Sequence, residues 1–221
     1  YDIHKIGITK KGEWIYYEGN AQEMRTGSWE KNWHNRKAFI SPDASIHGIT
    51  VLDGRGGCMN IRVDVVFPVL HGKYGEDGTV QGLLELAGIP YVGPHVLASA
   101  TAMDKVAAKT IFAANDIPQA RWLWFYDYGI RANPSYVLDT IENTFDYPVY
   151  VKPANAGSSI GITKAEDSGQ LVLALEEAMK HDRKILIEET IVGRELECAV
   201  MGNRAPIASH IGEVLTSVDF Y

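Results

Sequence analysis

Cysteine is scarce in this sequence. Cys58 and Cys198 are its only two, far apart and outside any CxxC or Cys/His cluster. Such a pair supports neither a zinc site nor a disulfide framework, and it fits a reducing cytoplasm. No run of 18 apolar residues occurs, so a membrane partner is not expected. Positive charge is in deficit, 21 Lys plus Arg against 28 Asp plus Glu, with no basic block to track a phosphate backbone. That balance argues against a nucleic-acid partner. The two familiar glycine fingerprints for nucleotides, GxxxxGK(S/T) and GxGxxG, are both absent. Internal repeats, low-complexity tracts, an initiator methionine and a signal-peptide pattern are lacking too, so the opening "YDIHKIGITKKGEW" reads as a chain entered part-way through.

What is present is ample for a core: 221 residues, 46% of them apolar, enough for one large or two smaller domains. Residues 1 to 17 alternate in two short runs about Lys10, Lys11 and Gly12, predicting strand, turn and strand. Residues 20 to 48 read as loop with some helix. "VDVVFPVL", Val63 to Leu70, predicts a strand buried on both faces, followed by the loop "HGKYGEDG" and a helix over "TVQGLLELAG" ending at Gly88. Ser99 is placed to cap a helix running to about Ala114, stopped by "NDIPQA" before the strand "RWLWFY". A helix near 135 to 144, the strand "YPVYVKP", a glycine-serine loop, a helix from Ser168 to about His181 and the strand "KILIEE" follow. "RELECAVMG" and "PIASHIGEV" predict two more strands. Strands alternating with helices argue an α/β chain, with an open, mostly parallel sheet first and more strands per helix later. Changes of texture divide it at 1–93, 94–189 and 190–221.

"VKPANAGSSIGI", residues 151 to 162, puts two glycines and two serines after an apolar strand. Such a loop turns several N–H groups and hydroxyls toward one point, a nest for phosphate oxygens. Taken alone it also reads as an ordinary turn. Lys152 alters that balance: an ammonium at the end of an apolar strand is costly to desolvate unless it meets a carboxylate or an anion. In "LHGKYGEDGTVQG", His71, Glu76 and Asp77 follow a strand, where open α/β folds bind ligands, although Asp77 also suits a cap for the helix near Thr79. Lys105 in "TAMDKVAAKT" reads by itself as a solvated helix lysine. Glu188, Glu189 and Glu195 lie in "ILIEETIVGRELECAV" about an apolar Ile191–Val192 pair, a clamp suited to ribose and purine or a set of surface acids.

Taken together and in this order, "LHGKYGEDGTVQGLLELAGIPYVG", "SATAMDKVAAK", "YPVYVKPANAGSSIGI" and "IEETIVGRELECAV" resemble the D-alanine-D-alanine ligase family of the ATP-grasp superfamily. The resemblance implies an α+β ATP-grasp nucleotide-binding domain after the amino-terminal one. It implies that Lys105 and Lys152 contact ATP phosphates and that the loop with Ser158 and Ser159 folds over them. Glu188 would meet the adenine amino group, Glu195 the ribose hydroxyls, and Glu189 and Ile191 would offer backbone groups to the adenine edge. His71 would lie by the first D-alanine and the transferred phosphate, and Ser158 would position that substrate, so that His71, Ser158 and Lys152 form the catalytic set.

The activity implied is ATP-dependent joining of two D-alanine molecules through an acyl phosphate, for peptidoglycan precursors, with Mg²⁺ or Mn²⁺. Ligases that join D-alanine to D-serine or D-lactate share these motifs, and a non-catalytic nucleotide-binding remnant is a further alternative. The family's glycine-rich amino-terminal segment and the part that carries its metal ligands are not in the sequence, so none of these residues is expected to bind metal and the 221 residues alone are expected to be inactive. The family further implies a cytoplasmic homodimer whose partners are the small molecules D-alanine and ATP.

Overall fold

The computed structural model describes residues 1–157 and 160–215. The chain divides into two compact units, Tyr1–Ala100 and Thr101–Tyr221.

The first unit opens with β1 (Lys5–Ile8) and β2 (Trp14–Tyr17), a hairpin whose turn uses Gly12 at φ +82°. A short helix α1 (Ala21–Thr26), capped by Asn20, and a 3₁₀ turn lead to β3 (Arg36–Ile40), β4 (Gly48–Leu52) and β5 (Cys58–Arg62). The five strands pair in the order β1-β2-β3-β4-β5, every ladder antiparallel. The α/β class holds, while the expected mostly parallel sheet is corrected. The turn Asp53–Gly57, where Asp53 Oδ1 accepts the N–H groups of Arg55 and Gly57, joins β4 to β5 directly with no crossover helix. Tyr16, Ala38, Ile49 and Val51 fill one cluster. Helix α2 (Thr79–Leu86) adds Val80 and Leu84 to a second with Ile40, Ala87 and Ile89.

Val63–Leu70 does not form the strand buried on both faces. Its one bridge is parallel, Val66 to Tyr91. Pro68 has no N–H to give a ladder, and from Val65 on the side chains alternate: Val66 and Leu70 pack toward α2, while Val65, Phe67 and Val69 are exposed. The helix predicted from Ser99 to Ala114 is also corrected. It breaks at Asp104 into α3 (Val96–Met103) and α4 (Lys105–Ala114), because the Asp104 carboxylate accepts the N–H groups of Val106 and Ala107 and starts a new helix. Ser99 is buried within α3, its hydroxyl donating to the Pro94 carbonyl at 3.1 Å.

In the second unit β6 (Trp122–Tyr126), β7 (Val149–Pro153), β8 (Thr163–Ala165) and β9 (Lys184–Glu189) form an antiparallel sheet in the order β6-β9-β7-β8. Helices α5 (Asp127–Ala132), α6 (Pro134–Thr144) and α7 (Ser168–Ala178) cover one face. The two-residue period of the strands sends Val149, Val151, Ile185 and Ile187 under those helices, where they meet Ile141, Leu171, Ala174 and Leu175. Burying one such aliphatic side chain contributes about 1.5–3 kcal/mol, so this face holds the sheet to its helices. The last two predicted strands each divide in two, giving β10 (Glu195–Glu197), β11 (Val200–Met201), β12 (Ile207–Ala208) and β13 (Gly212–Val214), paired β10-β13 and β11-β12. At the break the Ser209 hydroxyl, rather than a backbone carbonyl, accepts the Ala199 N–H at 3.0 Å.

Candidate functional site: the lysine face of the second unit

The same two-residue period decides what the other sheet face carries. On β9 it presents Lys184, Leu186 and Glu188; on β7, Tyr150 and Lys152. Across the ladders Glu188 lies opposite Tyr150 and Trp122, and Lys152 opposite Leu186. Helix α4 packs on this face through Val106, which meets Leu186, Ala154 and Trp122. Its 3.6-residue period places Lys105 and Lys109, four apart, on one side.

The result is a buried charge cluster. Glu188 is 7% exposed and takes a lysine on each oxygen, Lys109 Nζ at 2.5 Å from Oε1 and Lys152 Nζ at 2.5 Å from Oε2. Burial pushes the Glu188 carboxyl up, but Lys152 and Lys109 outweigh it and hold the group below the ordinary carboxylate range. Lys184 Nζ lies 2.5 Å from Asp104 Oδ2, so the cap of α4 is itself tied to β9. Burial opposes ionisation of Asp104 as well, and Lys184 with the Ala107 N–H more than offsets it.

Lys105 differs. Among the described residues it has no carboxylate partner: its Nζ donates to the carbonyls of Ala156 at 2.6 Å and Ala154 at 3.5 Å. Burial, then the neighbouring Lys152 ammonium, push its pKa down. It stands first in α4, where the helix dipole is also positive. Asn155, beside it, donates its N–H and its side-chain amide to Asp182 Oδ2 at 2.7 and 2.9 Å, pinning the mouth of the glycine-serine loop. Four ammoniums, Lys105, Lys109, Lys152 and Lys184, thus meet three carboxylates, Asp104, Asp182 and Glu188, a surplus of one positive charge (4 − 3 = 1). On a chain of net charge −7, a positive surplus gathered at the start of the glycine-serine loop is a place for an anion.

Of the residues that the motifs single out, Lys105, Lys152 and Glu188 therefore come together. Ser158 and Ser159 lie outside the described residues. Glu189 faces Arg121 at the sheet edge, Nε to Oε2 at 2.6 Å with the Arg121 N–H on Oε1 at 2.8 Å, and its own N–H donates to the Arg121 carbonyl. The Ile191 side chain is exposed, and Glu195 is exposed on β10 opposite Val214. His71 is an exposed residue of the first unit. In its loop, Asp77 accepts the N–H groups of Tyr74 and Thr79, Glu76 accepts that of Gly72, and the buried Gln81 donates to the Gly75 carbonyl at 2.9 Å. Glu76 and Asp77 thus shape the loop.

Lys109 and the Asp104–Lys184 pair escaped the sequence reading. A signal existed for both: Lys109 follows Lys105 by one helical turn, and Lys184 shares the strand face of Glu188. No group of three or more His, Cys, Asp or Glu able to hold a metal ion exists among the described residues, so no step is assigned to a metal held by them. Among those residues no helix is long and apolar enough to cross a membrane.

The D-ala D-ala ligase N-terminus family matches residues 1–94, and the D-ala D-ala ligase C-terminus family matches residues 111–221. A D-alanine-D-alanine ligase of Acetivibrio thermocellus is 48% identical over 231 residues, covering 100% of this chain and 61% of that protein. One of Caldicellulosiruptor bescii is 48% identical over 221 residues, covering 100% and 60%. Among solved structures, the VanG D-Ala:D-Ser ligase of Enterococcus faecalis has a TM-score of 0.87 at 39% identity, with 99% of this chain and 62% of that one covered. The D-alanine-D-alanine ligase of Coxiella burnetii has a TM-score of 0.77 at 32% identity, covering 95% and 60%. The chain spans about 60% of the length of the curated relatives it matches.

Proposed function

Because the chain belongs to the D-alanine-D-alanine ligase family, we propose that it serves the ATP-dependent ligation of two D-alanine molecules for peptidoglycan precursors. The observation that carries this reading is Lys105, a half-buried ammonium without a carboxylate partner among the described residues, set beside Lys152 at the mouth of the glycine-serine loop. The polyphosphate of ATP is an anion of the right kind for that surplus. A bound phosphate would compensate Lys105 and relieve its repulsion from Lys152.

In this reading Lys105 and Lys152 neutralise charge on the phosphates, Ser158 and Ser159 close over them, and Glu188 meets the adenine amino group. A carboxylate has about four lone-pair positions, so Glu188 can hold two lysines and still accept an amino group. Glu189 and Ile191 border the adenine, Glu195 takes the ribose, and His71 lies by the first D-alanine. ATP supplies a phosphoryl group that activates a carboxylate, a transfer that depends on positioning and charge neutralisation. A divalent cation, Mg²⁺ or Mn²⁺, belongs to that chemistry, as do a cytoplasmic setting and a homodimer. Residues 1–93 are assigned to the substrate side, 94–189 to the lid and central part, and 190–221 to the start of the second nucleotide-binding part.

The likeness to the Enterococcus faecalis structure favours one second reading, D-serine as the other amino acid. Mass spectrometry of products that the gene-length protein, rather than these 221 residues alone, forms from ATP, Mg²⁺, D-alanine and D-serine in equal amounts decides between them. D-alanyl-D-alanine as main product supports the first reading, D-alanyl-D-serine the second, and ATP binding without either dipeptide refutes both.

A further inference from the structure

Lys109 belongs to none of the roles above, yet it is the more enclosed of the two ammoniums that pair with Glu188. Its side chain is 12% exposed, against 25% for Lys152. Besides Glu188 Oε1, its Nζ lies 3.4 Å from both Gln119 Oε1 and the Ala120 carbonyl, and Gln119 donates back to the Lys109 carbonyl at 2.9 Å. Lys109 is therefore fixed in the protein, whereas Lys152 stands at the mouth of the loop. A buried carboxylate held by Lys152 alone would lose its bonded counter-charge whenever that lysine turned to another anion, and an unpaired buried charge is costly. Held from two sides, by α4 and by β7, Glu188 does not face that loss.

We propose that Lys109 is a positioning residue of the nucleotide site: it holds Glu188 in place through Oε1, so that Lys152 can turn from Oε2 to a nucleotide phosphate without stranding a buried charge. The inference rests on the nucleotide reading of this face. Among the described residues, the groups that face Glu188 are Lys105 and Lys109 from α4 and Lys152 and Tyr150 from β7; β6 presents Trp122, which does not titrate. With Lys109 neutralised, burial acts on Glu188 against one fewer positive charge, and its carboxyl takes up a proton at higher pH.

The test is a calorimetric ATP titration of the wild type, Lys109→Met and Lys109→Arg between about pH 8 and about pH 5.5. Lys109→Met should bind roughly tenfold or more weakly, the equivalent of one charge-assisted contact, with a steeper fall toward acid than the wild type shows. Lys109→Arg should restore both affinity and pH profile. A Met variant that matches the wild type at every pH overturns the proposal. So does an equal loss at every pH that Arg fails to restore, which marks a packing role. Wild-type chain that does not bind ATP refutes the nucleotide reading itself, a separate failure. Lysine ¹⁵Nζ signals of the wild type test the point without any variant: ATP should shift Lys152 and leave Lys109 in place, and a larger shift at Lys109 overturns the assignment.

Discussion

Replacing Glu188 by Gln removes one negative charge and almost no volume, so it isolates what that charge does. In the native cluster the carboxylate sits 2.5 Å from two ammoniums whose side chains are 12% and 25% exposed. Removing one partner from a buried ion pair costs about 3–5 kcal/mol, mostly because the other charge is left unpaired. Lys152 has a path to solvent and escapes part of that penalty, while Lys109 does not. The expected loss is therefore at the lower end, about 3 kcal/mol. Because the chain holds two units, a single unfolding curve is a poor readout. Amide exchange of Val151, Leu186 and Ile187, all in the second sheet, reports the affected unit directly. The sign of the pH dependence follows from the depressed carboxyl. Its contribution is complete above its ordinary value of 4.5 and is lost as pH falls through the lower folded value, so wild type and variant should differ at neutral pH and converge only in strong acid. A change below about 1 kcal/mol at neutral pH, the range of an exposed pair, would refute the argument that this cluster is desolvated.

Other consequences can be checked alongside. Lys152→Ala should weaken ATP binding by about 1.5–3 kcal/mol, one charge-assisted contact, and unchanged affinity in calorimetry would remove Lys152 from the site. Asp104→Ala should speed amide exchange in the second unit by losing both the α4 cap, about 1 kcal/mol, and the Lys184 pair, whereas Asp104→Asn keeps the cap and should lose less; equal losses would mean that the cap is idle. Gly161 sits at φ +72°, and a Cβ there would come within 2.5 Å of His181 Cδ2 and 2.8 Å of Pro153 Cγ, so Gly161→Ala should destabilise the second unit by at least about 1 kcal/mol; unchanged amide exchange of Val151, Leu186 and Ile187 would contradict that geometry.

Where local chemistry decides an element, the sequence was enough. The hairpin about Gly12, the helices beginning at Thr79, Pro134 and Ser168, and the apolar strands β7 and β9 all carry their own period or punctuation. Pairing sense was not legible, because "GITVL" and "CMNIR" form strands through partners that only tertiary structure supplies, and those ladders make the first sheet antiparallel. The continuous apolar look of Val63–Leu70 hid the alternation that Pro68 and exposed Phe67 reveal. At the candidate site, Lys152 was legible as a charge in an apolar strand, and it does reach a carboxylate. Its partner was not, since Lys152 and Glu188 are 36 residues apart (188 − 152 = 36) and meet through the β7–β9 register. Lys109 was hidden for a simpler reason: a lysine on an amphipathic helix defaults to solvent until something buried is known to face it.

In the proposed function, the lysine surplus beside the glycine-serine loop receives the polyphosphate of ATP. Calorimetric titration of ATP into the wild-type chain and into Lys105→Met tests it most directly. Binding to the wild type should be saturable and weaken as salt is raised, and Lys105→Met should lose roughly tenfold or more with the amide exchange of Val151, Leu186 and Ile187 unmoved. Equal affinity in the two proteins, or no binding to either, would contradict it.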